Sequence, residues 1–160
     1  LITARLDRLG TASRRSLQHA SVLGRHFSAA GVRAISEGVV DGGLQEAVRR
    51  EFLVRSTDTS AGGGSYHFRH ALIRDAVYGS IPKDERRLLH ERAATWLEGR
   101  ELKSGEDLGE LLGHHLEQAF LLARELRDRS SDELGRRAHE RLTSLADRAR
   151  RREAWREALA

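Results

Sequence analysis

The chain of 160 residues has no cysteine, no methionine and a single proline. Without thiols there is no disulfide framework, no thiolate metal site and no cysteine nucleophile. No apolar run approaches the ~20 residues that a membrane-spanning helix needs, and no signal-peptide pattern opens the chain. The cytoplasm is therefore the expected compartment. Lacking a methionine, beginning at Leu1 and ending inside an apparently helical stretch at Ala160, the chain reads as an internal piece of a larger intracellular protein.

What is present is arginine, aliphatic residues and acid. Hydrophobic residues make up 39% and charged residues 32%, a globular and heavily solvated composition. The formal charge is +4, but it is unevenly distributed. Residues 1–80 hold 11 arginines against 7 carboxylates, whereas residues 81–160 hold 17 basic and 17 acidic side chains. Lys83 and Lys103 are the only lysines. Because arginine keeps its charge to very high pH, it explains the pI near 10.2 without requiring a nucleic-acid surface.

The hydrophobic period changes along the chain. Leu1, Ile2, Leu6 and Leu9 recur at helical spacing up to Gly10. Thr11 or Ser13 is a candidate cap for a second helix carrying Leu17, Ala20, Val22 and Leu23, with Gly24 as its stop. Ser28 opens a shorter third helix with Val32 and Ile35 inward. A loop over Gly38–Gly43 then leads to a fourth, with Leu44, Ala47, Val48 and Phe52 on one face. Residues 52–55 and 65–69 switch to β-prone composition around the polar tract STDTSAGGG. Its glycines 62–64 read as a flexible hairpin tip. A phosphate cradle would require the Lys-Ser or Lys-Thr pair of a P-loop, which does not follow.

From His70 the strand pattern gives way to helices. Leu72, Ile73, Ala76, Val77 and Ile81 form one apolar set, and Pro82 suits the first turn of the next helix. That helix is expected to bury Leu88, Leu89, Ala93, Trp96 and Leu97 and to break over Gly99–Gly105. Further helices follow over 107–127 and 132–152, with another starting near Glu153. The fold expected is mainly α: a winged-helix domain with a small β-hairpin over 1–81, then antiparallel, TPR-like repeat helices over 82–160, truncated at the C-terminus.

Acid–base and metal chemistry find no complete motif. His90-Glu91 and His139-Glu140 begin like a zincin helix, but Ala94 and Thr143 occupy the second-histidine position. Adjacent His114 and His115 point about 100° apart on a helix, which argues against joint chelation. His67 and His70 flank a strand-to-helix junction and are the remaining pair to test. There is no G-x-S-x-G elbow and no Walker A sequence, so no enzyme activity is expected of this chain and no catalytic or metal-binding residue is assigned. Acidic residues interleave with arginines at helical spacing, as in Glu133, Arg136 and Arg137, the pattern of a solvated helix face.

One stretch is distinctive. FRHALIRDAVYGSIPKDERRLLHERAATWLE, residues 68–98, resembles the segment after the nucleotide-binding core in STAND-class signalling ATPases. The nearest group is the large bacterial regulators related to adenylate-cyclase-linked and LuxR-type ATP-binding proteins. ARLDRL at 4–9, HASVLGRHFS at 19–28, REFLVRS at 50–56 and GHHLEQAF at 113–120 resemble the same group. The resemblance implies a winged helix and a TPR-like region, with an upstream ATP/ADP-binding core, further helical repeats and a cyclase or DNA-binding output domain in the parent polypeptide. It also implies a role for His70. Arg69-His70-Ala71 is similar to the Met-His-Asp motif, whose histidine touches the β-phosphate of ADP, although Ala71 replaces the acid. The alternative is that His70 only completes the strand-to-helix junction. Arg74 likewise has two readings, approach to phosphate or pairing with a neighbouring acid.

Three functions follow as expectations: a nucleotide-dependent switch module, a DNA-binding winged helix, or a nucleotide-independent protein-binding scaffold. For DNA, the candidate residues are Gln45, Arg49, Arg50 and Arg55. Glu46, Glu51 and Asp58 among them argue against close approach to a phosphate backbone.

Overall fold

The computed structural model describes residues 2–36, 40–56, 64–104 and 108–158. It is mainly helical, with eight helices and a three-stranded sheet among these residues. In chain order the elements are α1 (Ile2–Asp7), α2 (Thr11–Leu23), β1 (His26–Ser28), α3 (Ala29–Ile35) and α4 (Asp41–Arg49). Then come β2 (Leu53–Arg55), β3 (Ser65–Phe68), α5 (Ala71–Gly79), α6 (Lys83–Ser104), α7 (Gly109–Glu125) and α8 (Ser131–Ala158).

The sheet has the order β1-β3-β2 and is antiparallel throughout. Phe27 faces Tyr66 across one ladder, their ring centroids 6.0 Å apart, and Leu53 faces Phe68 across the other. The expected hairpin is therefore β2–β3, and β1 is an addition. Three residues are too few to display a strand period, so only pairing identifies His26–Ser28 as a strand. Gly62 and Gly63, central to the hairpin-tip reading, lie outside the described residues.

Helix boundaries follow capping and packing more than isolated glycines. Ser28 caps α3 as its sequence suggests, accepting a bond from the Gly31 amide at 3.1 Å. Neither Thr11 nor Ser13 caps α2: the cap residue is Gly10, and Ser13 is buried inside the helix. Gly42 and Gly43 lie within α4, not in a loop. A Cβ on Gly43 would fall 2.2 Å from Ser16 Oγ, so the α2–α4 contact requires a glycine there. Pro82 precedes α6 as its cap residue, its carbonyl accepting the Arg86 amide at 2.9 Å.

Two expected interruptions differ among the described residues: the break over Gly99–Gly105 is helical as far as Ser104, Gly105 lying outside the described residues, and no new helix starts near Glu153. Helix α6 runs through Gly99 to Ser104. A helical glycine costs only about 1 kcal/mol relative to alanine. Contacts on either side of Gly99, Glu98 with Arg137 at 2.8 Å and Glu101 with Arg141, hold α6 against α8. Helix α8 likewise continues through Glu153 without a new start. One expected core position, Leu88, is also corrected, and Leu72 of the apolar set in α5 faces outward. Leu72 is 71% exposed and Leu88 is 41% exposed, because the inward faces of α5 and α6 are Ile73/Val77 and Leu89/Ala93/Leu97.

The N-terminal core gathers Leu17, Leu44, Phe52, Leu53, Phe68 and Val77 beneath the sheet. A second cluster joins Val22 and Ile35 to Ile81, Leu89 and Ala93, so α6 is packed directly onto α2 and α3. A third, with Leu97, Leu112, Leu116 and Ala138, holds α6, α7 and α8 together. No described helix is long and apolar enough to cross a membrane.

Candidate functional site

His70 is the cap residue of α5. Its extended backbone (φ −137°, ψ 140°) ends the strand path, and its carbonyl accepts the Ile73 amide at 3.0 Å. The imidazole is exposed and makes no capping bond. Arg74, one turn further on, is engaged elsewhere. Its Nε donates to the Ser21 carbonyl at 2.9 Å, Nη1 lies 3.2 Å from Asp75, and the guanidinium sits 4.6 Å from the Tyr78 ring centre. Arg74 thus ties α5 to α2.

His67 lies against His26 on β1, with ring centroids 5.5 Å apart. Among the described residues no group of three or more His, Cys, Asp or Glu is arranged to hold a metal. The aromatic side chains on the sheet and helices pack: Phe68 is fully buried, Tyr66 stacks on Phe27, and Trp96 contacts the Gly31 region of α3. The Trp155 side chain lies outside the described residues.

The polar feature that sequence spacing did not assemble is a buried chain of three rings. Tyr78 Oη is 2.9 Å from His90 Nε2, and His90 Nδ1 is 2.9 Å from His115 Nδ1. His90 is 1% exposed and His115 is 2% exposed. The chain crosses α5, α6 and α7. Each Nδ1 pair needs one donor and one acceptor, so two neutral imidazoles satisfy it and two imidazolium ions do not. Burial, then the neighbouring His115, His114, Arg74 and Arg86, push the His90 pKa down to about 2. Burial and His114 push that of His115 down to about 4. A signal existed in the sequence: His90 shares the stripe of Ala93, Ala94 and Leu97, and His115 that of Leu112, Leu116 and Ala119.

A second feature is a cavity of about 480 Å³ between α2 and the first turns of α6, with Ser36 and Val40 also in its lining. Arg15, His19, Glu85, Leu88, Leu89 and Arg92 define its chemistry. Ser36 Oγ donates to the Val32 carbonyl at 2.6 Å, so it accepts from His19 Nδ1, also at 2.6 Å. This places a proton on His19 Nδ1, and Nε2 lies 3.9 Å from Glu85 Oε1.

The candidate DNA-reading helix α4 presents its two terminal arginines bound to a single acid. Glu46 accepts from Arg50 at 2.9 Å and from Arg49 at 2.5 Å, and these bonds, that of Arg50 foremost, hold its carboxyl below the ordinary range. Comparison with known proteins returns no matching family model, no matching curated protein and no matching solved structure.

Proposed function

We propose that this chain is the relay module of a multidomain, cytoplasmic STAND-type signalling ATPase. In this reading residues 1–81 form a winged helix, and residues 82–160 begin a TPR-like array. The winged helix packs on an upstream nucleotide-binding core and passes its ADP or ATP state to the helical region and an output domain, transcriptional or cyclase. Three observations support the winged-helix reading: the element order from α2 to β3, the sheet order β1-β3-β2, and the likeness of residues 68–98.

The observation that carries the relay is the placement of α5. Its N-terminal residue His70 is exposed with an uncommitted capping position, while Tyr78 near its other end is bonded into α6 and α7 through His90 and His115. An anion held at His70 would be favoured by the positive end of α5, and a displacement of α5 would be felt directly by the helical pair. Ala71 stands where the related motif has an acid, so the imidazole and the helix end would act without that companion.

The test uses a longer chain that includes the preceding segment of the parent protein. It is expected to co-purify with ADP, and His70→Ala is expected to weaken ADP retention. Unchanged ADP affinity in the variant would remove the phosphate role. DNA reading by α4 is disfavoured by Glu46, which occupies both arginines that would meet the backbone.

A further inference from the structure

The outer face of the sheet carries two histidines in register. Phe27 and Phe68 belong to the core, so the alternate positions His26 on β1 and His67 on β3 point away from it. They are direct partners across the ladder. The Phe68 amide donates to the Arg25 carbonyl at 3.0 Å, and the Ala29 amide to the Gly64 carbonyl at 3.0 Å. These bonds make His26 and His67 a non-hydrogen-bonded pair, the kind in which opposite side chains lie closest. Their ring centroids are 5.5 Å apart, with the planes 35° from parallel. His26 is exposed and His67 is half-buried, and neither ring has a hydrogen bond or an ion pair among the described residues.

From this arrangement we infer that His26 and His67 together chelate one divalent transition-metal ion of the zinc, nickel or copper kind. Two imidazoles on one tetrahedral zinc place their nitrogens about 2.0–2.1 Å from the ion, which sets the ring centres about 5 Å apart. The observed spacing is close to that of such a chelate. Imidazole selects these ions over Mg²⁺ and Ca²⁺, which take oxygen ligands. Among the described residues no group of three or more His, Cys, Asp or Glu is arranged to hold a metal, so water completes the coordination and the site is open. Arg69, two residues beyond His67, is paired with Glu51 at 3.5 Å, which offsets its charge. The ion joins β1, which leads into α3, to β3, which leads into His70 and α5. Because the unfolded chain does not hold the two rings in register, binding stabilises the sheet. The site depends on no nucleotide-binding core, so failure of the ADP experiment leaves it standing.

The probe is Zn²⁺, titrated into the whole chain at neutral pH by calorimetry, with Mg²⁺ as the oxygen-seeking control. Saturable binding of Zn²⁺ is expected with a Kd below about 1 mM, accompanied by a rise in Tm, and Mg²⁺ is expected to produce neither. His26→Asn and His67→Asn each remove one arm of the chelate without touching the core. Each is expected to weaken Zn²⁺ binding by about tenfold or more, with far-ultraviolet circular dichroism unchanged. His139→Asn, which removes an exposed ring on α8, is expected to leave the affinity as it was. With Cu²⁺ as a second probe, electron paramagnetic resonance is expected to show a pair of nitrogen donors in the wild type and a single one in either sheet variant. The inference is overturned by any of three results: no Zn²⁺ saturation below about 1 mM, equal affinity for Mg²⁺, or unchanged Zn²⁺ affinity in His26→Asn or His67→Asn.

Discussion

Acidification from about pH 7.5 to about pH 5 is expected to remove about 4 kcal/mol from the folding stability of this chain. The source is the buried pair His90 and His115, bonded Nδ1 to Nδ1. In the unfolded chain both rings titrate near 6.5, whereas in the folded chain they do so at about 2 and about 4. As pH falls through 6.5, the unfolded chain takes up protons that the folded chain refuses, and stability falls with it. Each ring contributes about 1.4 kcal/mol per pH unit in this window, hence about 2 kcal/mol at pH 5. The loss continues down to about pH 4 for His115 and further for His90. Against a total of about 5–15 kcal/mol for an ordinary domain, this is a large fraction.

The assay is urea unfolding followed by far-ultraviolet circular dichroism at several pH values. The chain is compared with the double variant His90→Gln, His115→Gln, whose side chains do not titrate. The Glu46 and Asp128 carboxyls are held below their ordinary values of 4.5 and 3.8, so their contributions are lost only beneath this window. The variant is expected to be less stable at neutral pH but nearly insensitive to pH between 7.5 and 5. An identical pH slope in both proteins, or a wild-type loss below about 1 kcal/mol, would refute the assignment to these rings.

Other outcomes follow from single contacts. Tyr78→Phe removes the hydroxyl partner of His90 Nε2 and is expected to cost about 1–2 kcal/mol in chemical denaturation. Gly43→Ala places a methyl group against Ser16 and is expected to destabilise by about 1–3 kcal/mol, with Ser16→Ala partly restoring stability. Arg127 ends α7 in the left-handed region at φ 55°, with the next amide bonded back to Ala123 at 2.9 Å. Arg127→Gly is therefore expected to stabilise by about 0.5–1 kcal/mol, read as a rise in Tm.

The amphipathic stripes made most helices legible in the sequence. Leu44 and Ala47, or Leu89, Ala93 and Leu97, recur at spacings that only a helix places on one face, so their burial followed from local order alone. Ser28 was equally readable, because a cap needs only a hydroxyl and an amide three residues on. Leu88 departs from the expected buried face, and Leu72 from its apolar set, because an apolar residue at the edge of a stripe is buried only if a neighbouring element covers it. A break at Gly99 is what the local glycine penalty suggests, whereas the ion pairs with α8 that flank it come from residues about 40 positions away.

The candidate sites divide along the same line. Residue types alone determined what chemistry was available: no thiols, eight histidines, and charge carried almost wholly by arginine and carboxylates. They also singled out His70 as the start of a helix, since its place at a strand-to-helix junction is a local property. The sequence could not bring Tyr78, His90 and His115 into one chain, nor set His19 and Glu85 3.9 Å apart across a cavity. Those juxtapositions depend on how α6 lies against α2 and α7. That packing is decided by the joint burial of Val22, Ile35, Ile81, Leu89 and Ala93, a collective fit that no single helix carries in its own period.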